Sequence, residues 1–410
     1  MQPEINPYSP GSGLTPPDLV GRQAEIDAFD LVVARSRGRR SSRGIILHGL
    51  RGVGKTVLLN RFLRQAEQAD WFTVELEGSA TESGHEIARH KLGRALLLAV
   101  RRLQRSKHFS EELKAVLGTV KSFSLSLGVA SIDFNVDQTR GRADSGRIEV
   151  DFEEVIEDLV PALQKASSAF GLFIDEMQDI DPELMSALLA AQHKAGQKGW
   201  PFYIFGAGLP SLPSILSSSR SYAERLFNYR EIGALDVSAS RDALLIPAGR
   251  LGVEYEPEAI SELLTASGGY PYFLQTYGQA AWDIAEAKIV RLHDAREAVV
   301  EGNAALDMGF FLRDGIERRQ PNETTSGRWL LTKNAARVRL ISLTGLECQR
   351  LRSAQPARAC SKKEWCIRPN AAVSPSPCQE WPRSSIGSPQ SSGALRKPSK
   401  VAPAGRNVPA

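Results

Sequence analysis

The sequence predicts an α/β fold, a parallel sheet flanked by helices, and three observations predict it. The apolar run Gly44-Ile45-Ile46-Leu47-His48 reads as a buried strand, and Gly49-Leu50-Arg51-Gly52-Val53-Gly54-Lys55-Thr56 follows it directly. Thr56 to Ala69 then reads as a helix, with Val57, Leu58, Leu59, Phe62 and Leu63 on one apolar face. A second apolar run, Gly171-Leu172-Phe173-Ile174, ends in the acidic pair Asp175-Glu176. Apolar runs separated by helical patterns are what a parallel sheet requires, because each crossover must carry the chain back to the same edge.

The remaining elements follow in chain order. Met1 to Pro17 is rich in proline and glycine and has no basic-then-apolar signal pattern, so residues 1–18 read as a flexible leader. Trp71 to Leu76 reads as a second strand and Gly84 to Lys107 as a long helix. Ser122 to Leu127 alternates polar and apolar residues, Gly128 interrupts, and Ile132, Phe134 and Val136 alternate again. That pattern predicts a β-hairpin insertion over about 121–136. Gly141 to Gly146 reads as a loop, Phe152 to Ala166 as a helix, Pro201 to Phe205 as a strand and Arg230 to Leu235 as the last strand. A ligand is expected at the carboxyl ends of these strands.

The chemistry sits at two of those ends. Gly49 to Thr56 matches G-x-x-x-x-G-K-[ST], a loop that aims backbone N–H groups and a helix N-terminus at phosphate. Gly52 and Gly54 permit backbone conformations a Cβ would obstruct. Lys55 is expected on the β- and γ-phosphates of a nucleotide and the Thr56 hydroxyl on Mg²⁺, with Gly49, Val53 and Val57 completing the cradle. Asp175 is the second expected metal-site residue, and Glu176 the group that orients or deprotonates an attacking water. Gln178 is a weaker candidate for holding that water. His48 is read as packing, and Arg220 and Arg225 as candidate fingers for a phosphate.

Composition bounds the class. The chain has 410 residues, 7% aromatic and 24% charged, enough for two or three domains of a globular protein. The longest strongly apolar stretch, Ala95 to Val100, is far too short to span a bilayer, and a cytosolic protein is expected. The charge divides sharply. Residues 324–410 hold 15 Lys and Arg against 3 Glu and no Asp, a net +12; the rest holds 36 against 44, a net −8. All four cysteines (Cys348, Cys360, Cys366 and Cys378) and three of the six tryptophans lie in the same tail. No C-x₂-C spacing occurs, so zinc is not expected. We read this basic, low-order tail as a translation in a shifted frame; the rival account is a basic arm that binds nucleic acid.

With these motifs in this order the chain resembles bacterial ATPases of the AAA-type and STAND-like division, near origin-recognition proteins and archaeal ATPases, from Leu19 to about Glu323. Val20-Gly21-Arg22-Gln23-Ala24-Glu25 resembles the G-R-x-x-E box, which implies Gly21 and Arg22 near the adenine. Gly49 to Thr56 is the Walker A motif and Leu172 to Glu176 the Walker B motif. Gly206-Ala207-Gly208-Leu209-Pro210 stands at the sensor-1 position, where relatives offer a polar side chain and this chain offers none. Slow or partner-dependent hydrolysis is expected from that. Arg225 stands before the last strand, where such ATPases carry an arginine that senses γ-phosphate. Gly268-Gly269-Tyr270-Pro271 resembles the G-G-x-P motif of a helical lid, which implies Pro271 near the base. The resemblance implies a P-loop NTPase core over 19–236, a helical lid over 237–307 and a linker over 308–323.

The expected function is an ATP-binding, Mg²⁺-dependent ATPase acting as a nucleotide-controlled switch, with a homo-oligomer and a protein effector as partners. A DNA-associated initiator or loader is the first alternative, and a nucleotide-binding module with negligible turnover the second. The core's net −8 argues mildly against a broad nucleic-acid surface, although Arg37-Gly38-Arg39-Arg40 and Arg101-Arg102 are local basic patches.

Overall fold

The computed structural model describes residues 1–105, 112–128, 139 and 141–317. After the leader come α1 (Gln23–Arg37), β1 (Gly44–His48), α2 (Lys55–Gln68), β2 (Phe72–Glu77), α3 (Glu82–Arg105), α4 (Glu112–Ser126), α5 (Ile148–Lys165) and β3 (Phe170–Asp175). Then follow α6 (Pro182–Lys198), β4 (Phe202–Gly208), α7 (Leu212–Ser219), α8 (Ala223–Leu226) and β5 (Phe227–Glu231). The five strands form one parallel sheet in the order β2-β3-β4-β1-β5. This is the α/β architecture the sequence predicts, the P-loop NTPase fold. β3 and β4 are buried along almost their whole length, because helices cover both faces of the sheet. That is why they read as unbroken apolar runs. One core layer packs α3 to α6 against the sheet around Phe152, Leu159 and Leu188. The opposite layer packs α1 and α2 around Phe29, Phe62 and Phe205, with the rings of Phe29 and Phe62 stacked at 4.6 Å.

Three elements differ from expectation. Residues 122–126 lie in helix α4, not in a β-hairpin. Period two competed there with a helical period: Val116, Leu117, Val120 and Phe123 are buried at helical spacing. The Ser122 and Ser124 hydroxyls, which supplied the polar half of the alternation, donate to the carbonyls of Gly118 and Val120 one turn back. The second half of that hairpin, with Ile132, Phe134 and Val136, lies outside the described residues. The last strand begins at Phe227, earlier than expected, and ends at Glu231. As an edge strand it is only partly buried, so its own residues carry little apolar signal; Ile232 to Leu235 instead lead the chain away to the next unit.

That unit is helical, with α9 (Val237–Gly249), α10 (Pro257–Ser267), α11 (Pro271–Ile284) and α12 (Leu292–Glu317). Two short strands, β6 (Glu254–Tyr255) and β7 (Ile289–Val290), pair beside it. It has its own core around Leu244, Leu263, Leu274 and Trp282. α12 runs to Glu317, into the stretch expected to be a linker. The tail 324–410, with its four cysteines, lies outside the described residues.

The leader is the third difference. It packs along the helical unit as a strap. Tyr8 is buried there; its hydroxyl donates to the Leu244 carbonyl and bonds the Tyr255 hydroxyl at 2.8 Å. The Trp282 indole donates to the Gln2 carbonyl at 2.9 Å, and the Asn6 amide donates to Gln279 and Asp283. Proline and glycine predict irregular backbone correctly, but a single buried aromatic is enough to fix such a segment. Tyr8→Ala is expected to lower the thermal midpoint markedly, with a loss of about 3–5 kcal/mol, as for other buried aromatics. Tyr8→Phe should cost about 1–2 kcal/mol, the hydroxyl's share. A Tyr8→Ala midpoint equal to the parent's would mean that the strap is not docked in solution.

Candidate functional site

The phosphate-binding loop leaves β1 at the carboxyl edge of the sheet and enters α2 at Lys55. Gly52 and Gly54 take φ of +79° and +91°, left-handed values that suit glycine and turn successive N–H groups toward one point. Gly49 N–H donates to the Gly208 carbonyl of β4 at 3.2 Å, which fixes where the loop begins. Lys55 is 8% exposed, and its ammonium donates to the Leu50 carbonyl within the loop at 2.9 Å. Burial pushes its pKa below the ordinary lysine value, while Glu176 and Asp175 pull it back up.

Asp175 ends β3. Burial raises its pKa, and the Thr56 hydroxyl and the Glu176 N–H, both donating to the carboxylate, lower it. The structure therefore brings Lys55, Thr56, Asp175 and Glu176 together, although β1 and β3 are separated by β4. Lys55 and Asp175 are each desolvated and shifted toward their neutral forms. A polyphosphate with a divalent cation would favour the charged form of both. Thr56 and Asp175 offer one hydroxyl and one carboxylate at hydrogen-bond distance, hard oxygen ligands of the kind Mg²⁺ takes alongside phosphate oxygens. Among the described residues no group of three or more His, Cys, Asp or Glu is placed to hold a metal alone.

Glu176 has φ +44° and ψ +45°, a left-handed conformation that costs a non-glycine residue about 1–3 kcal/mol. The acidic residues after it are not simply a solvated turn. Asp179 accepts from Gln178 at 2.9 Å. Asp181 caps α6 by accepting from Leu184 N–H at 3.0 Å and pairs with Arg89. Burial opposes the Asp181 charge, but the Arg89 guanidinium and the Leu184 N–H hold its carboxyl below the usual range.

The other predicted residues surround this centre. Arg22 donates to the carbonyls of Val53 in the loop, at 3.1 Å, and of Gly233 beyond β5. Its guanidinium props the loop from behind, a role the motif did not suggest. Gly21 has φ +69° and abuts Leu235 and Ala239 at the start of the helical unit. Pro271 opens α11, and the next residue's N–H, that of Tyr272, donates to the Gly52 carbonyl at 3.2 Å. The helical unit thus touches the loop directly. Val57 lies half-buried in the first turn of α2. The strap comes close as well: a Cβ on Gly13 would lie 3.3 Å from Thr56 Cγ2, and Arg64 donates to the Thr15 hydroxyl at 3.0 Å.

The two arginine candidates separate clearly. Arg220 is committed to Glu149, at 2.6 Å, and to the Ser186 hydroxyl, at 2.9 Å. Arg225 is exposed on α8. It stands just before Phe227, which pairs with Gly44 at the start of β1, while the loop follows the end of that strand. Four residues of strand, about 13 Å, separate the start of β5 from the level of the phosphate loop. His48 ends β1 partly buried, and burial pushes its pKa down while Glu231 raises it.

A parallel sheet with a phosphate loop after one strand and an acidic pair after another defines a P-loop nucleotide-binding protein. Residues 18–204 match the family model described as the AAA ATPase domain, and that segment is an AAA-type P-loop ATPase domain. No curated protein matches the chain. Among solved structures, the Walker-type ATPase of Pyrococcus abyssi is 17% identical with a TM-score of 0.49, covering 77% of this chain and 80% of its own. The ORC2 protein of Aeropyrum pernix is 15% identical with a TM-score of 0.45, covering 71% of each chain. The RuvB Holliday-junction branch-migration motor of Thermotoga maritima is 15% identical with a TM-score of 0.39, covering 68% of each. Among the described residues no helix is long and apolar enough to cross a membrane.

Proposed function

We propose that the chain is a nucleotide-controlled molecular switch that binds and hydrolyses ATP. The observation that carries this reading is the convergence of Lys55, Thr56, Asp175 and Glu176 from two non-adjacent strands. Lys55 and the loop N–H groups bind the β- and γ-phosphates and neutralise charge that spreads over the transferred phosphoryl group. Thr56 and Asp175 would hold Mg²⁺, which supplies Lewis-acid polarisation of the phosphate oxygens when bound. Glu176 accepts a proton from, or orients, the attacking water. The contact of Tyr272 with Gly52 gives the helical unit a way to sense what the loop holds.

Arg225 acts in trans on this reading, because its own site is a strand-length away. Turnover per subunit should rise with protein concentration, and Arg225→Ala should remove that rise while leaving ATP affinity intact. Fingers of this kind contribute about 10³–10⁵ in rate. Steady activity from a strict monomer would exclude the trans role. A DNA-associated reading is favoured by a separate feature. Arg35, Arg37, Arg39, Arg40 and Arg43 are all exposed around the turn before β1, and none is ion-paired among the described residues. Running the same titration with duplex DNA at two salt concentrations distinguishes the readings, since binding through phosphates weakens steeply with salt.

A further inference from the structure

The Gln178 side chain joins the turn after β3 to the end of β4. Its Nε2 donates to Oε2 of Glu176 at 2.8 Å and to Oδ2 of Asp179 at 2.9 Å, and its Oε1 accepts from the Leu209 N–H at 3.0 Å. The orientation is fixed by chemistry. Turned over, the amide would set its oxygen against two carboxylates and its NH₂ against an N–H. Both amide hydrogens are engaged, so Gln178 cannot donate to a water while these bonds hold.

The other half of the argument lies on β4, at the sensor-1 position that carries no polar side chain. A Cβ on Gly208 would stand 2.4 Å from Gln178 Oε1, closer than real Cβ contacts come. It would also stand 2.8 Å from Leu212 Cδ2, the end of a side chain that can move. The Gly208 φ is not in the left-handed region, so glycine is required there for space rather than for conformation. Two residues earlier, a Cβ on Gly206 would stand 2.4 Å from Met177 Sδ, so the turn after β3 presses on β4 at both glycines. The Gly208 carbonyl also accepts from Gly49. One amide therefore links the start of the phosphate loop, through the end of β4, to the carboxylate of Glu176.

We propose that Gln178 is a positioning residue for ATP hydrolysis, and that Gly208 is glycine in order to admit it. The polar side chain that β4 does not carry is supplied from the neighbouring strand's turn, and it holds Glu176 through Oε2. The proposal rests on the hydrolysis reading above, and its test separates the two.

Full-length parent, Gln178→Ala, Gly208→Ala and the double variant are compared for kcat, KM for ATP and thermal midpoint, with Glu176→Gln as the inactive reference. Each single variant should lower kcat by about 10- to 100-fold, as loss of an outer-shell partner does, with KM held within about twofold. The double variant should be no slower than the slower single variant, because both changes break one contact. The midpoints should show the same non-additivity. Parent kcat in Gln178→Ala, or effects that multiply in the double variant, would overturn the proposal. If the parent binds ATP but releases phosphate no faster than Glu176→Gln, the hydrolysis reading falls and the positioning role falls with it. Non-additive midpoints would then still uphold the Gln178–Gly208 link, and additive ones would overturn that link too.

Discussion

Lys55→Ala is expected to bind ATP about 10²- to 10⁴-fold more weakly than the parent, the loss of two charge-assisted bonds to the β- and γ-phosphates. Its thermal midpoint should stay close to the parent's. Lys55 is buried and donates to one loop carbonyl, and burial already disfavours its charge. Removing the side chain loses one hydrogen bond, worth about 1 kcal/mol, and the attraction of Glu176 and Asp175, against which it relieves a desolvated cation. Titration calorimetry with ATP, beside thermal unfolding without it, checks both halves. Equal ATP affinity in the two proteins would remove the central claim about the loop.

Glu176→Gln should show the reverse pattern, with ATP affinity retained and phosphate release slowed about 10²- to 10⁴-fold, as for loss of a general base. Glutamine keeps the size of the side chain but loses the negative charge that attracts the proton. Its amide oxygen can still accept from Gln178 Nε2, so the link to Gln178 is kept while the charge is lost. A single-turnover assay with enzyme in excess separates this effect from changes in product release. An unchanged rate would place the catalytic role elsewhere than Glu176.

The sheet and its two chemical ends were legible because each rests on local pattern. Buried parallel strands must be apolar throughout, and a loop that cradles phosphate must have glycine at Gly52 and Gly54. The contacts that complete the site were not legible, because they join residues far apart in sequence. Arg22 reaches Val53 and Gly233, and Gln178 reaches Leu209, through side chains whose direction no periodicity encodes. One signal was present all the same. Gly206 and Gly208 stand in a strand, where glycine is weakening unless something must come close. Read that way, they announce a neighbour rather than a missing sensor. The hairpin misreading over 122–127 has a similar cause. Serine alternating with apolar residues satisfies either period, and only the packing of Val116, Val120 and Phe123 decides. The leader was misread because composition reports backbone freedom, while docking depends on one buried aromatic, Tyr8, and on hydrogen bonds to residues far along the chain.

The strap gives the helical unit a second tie to the sheet domain, non-covalent at the helical end and continuous with α1 at the other. One runs through Ile232 to Asp236; the other runs back from Tyr8 through Gly13 and Thr15, with Asp18 paired to Arg250 at 2.7 Å on the way to α1. A body tied at one point can swivel in any direction, whereas a body tied along two spans can turn only about the line that joins them. Two ties of this kind leave the helical unit fewer directions in which to move against the sheet than one tie would.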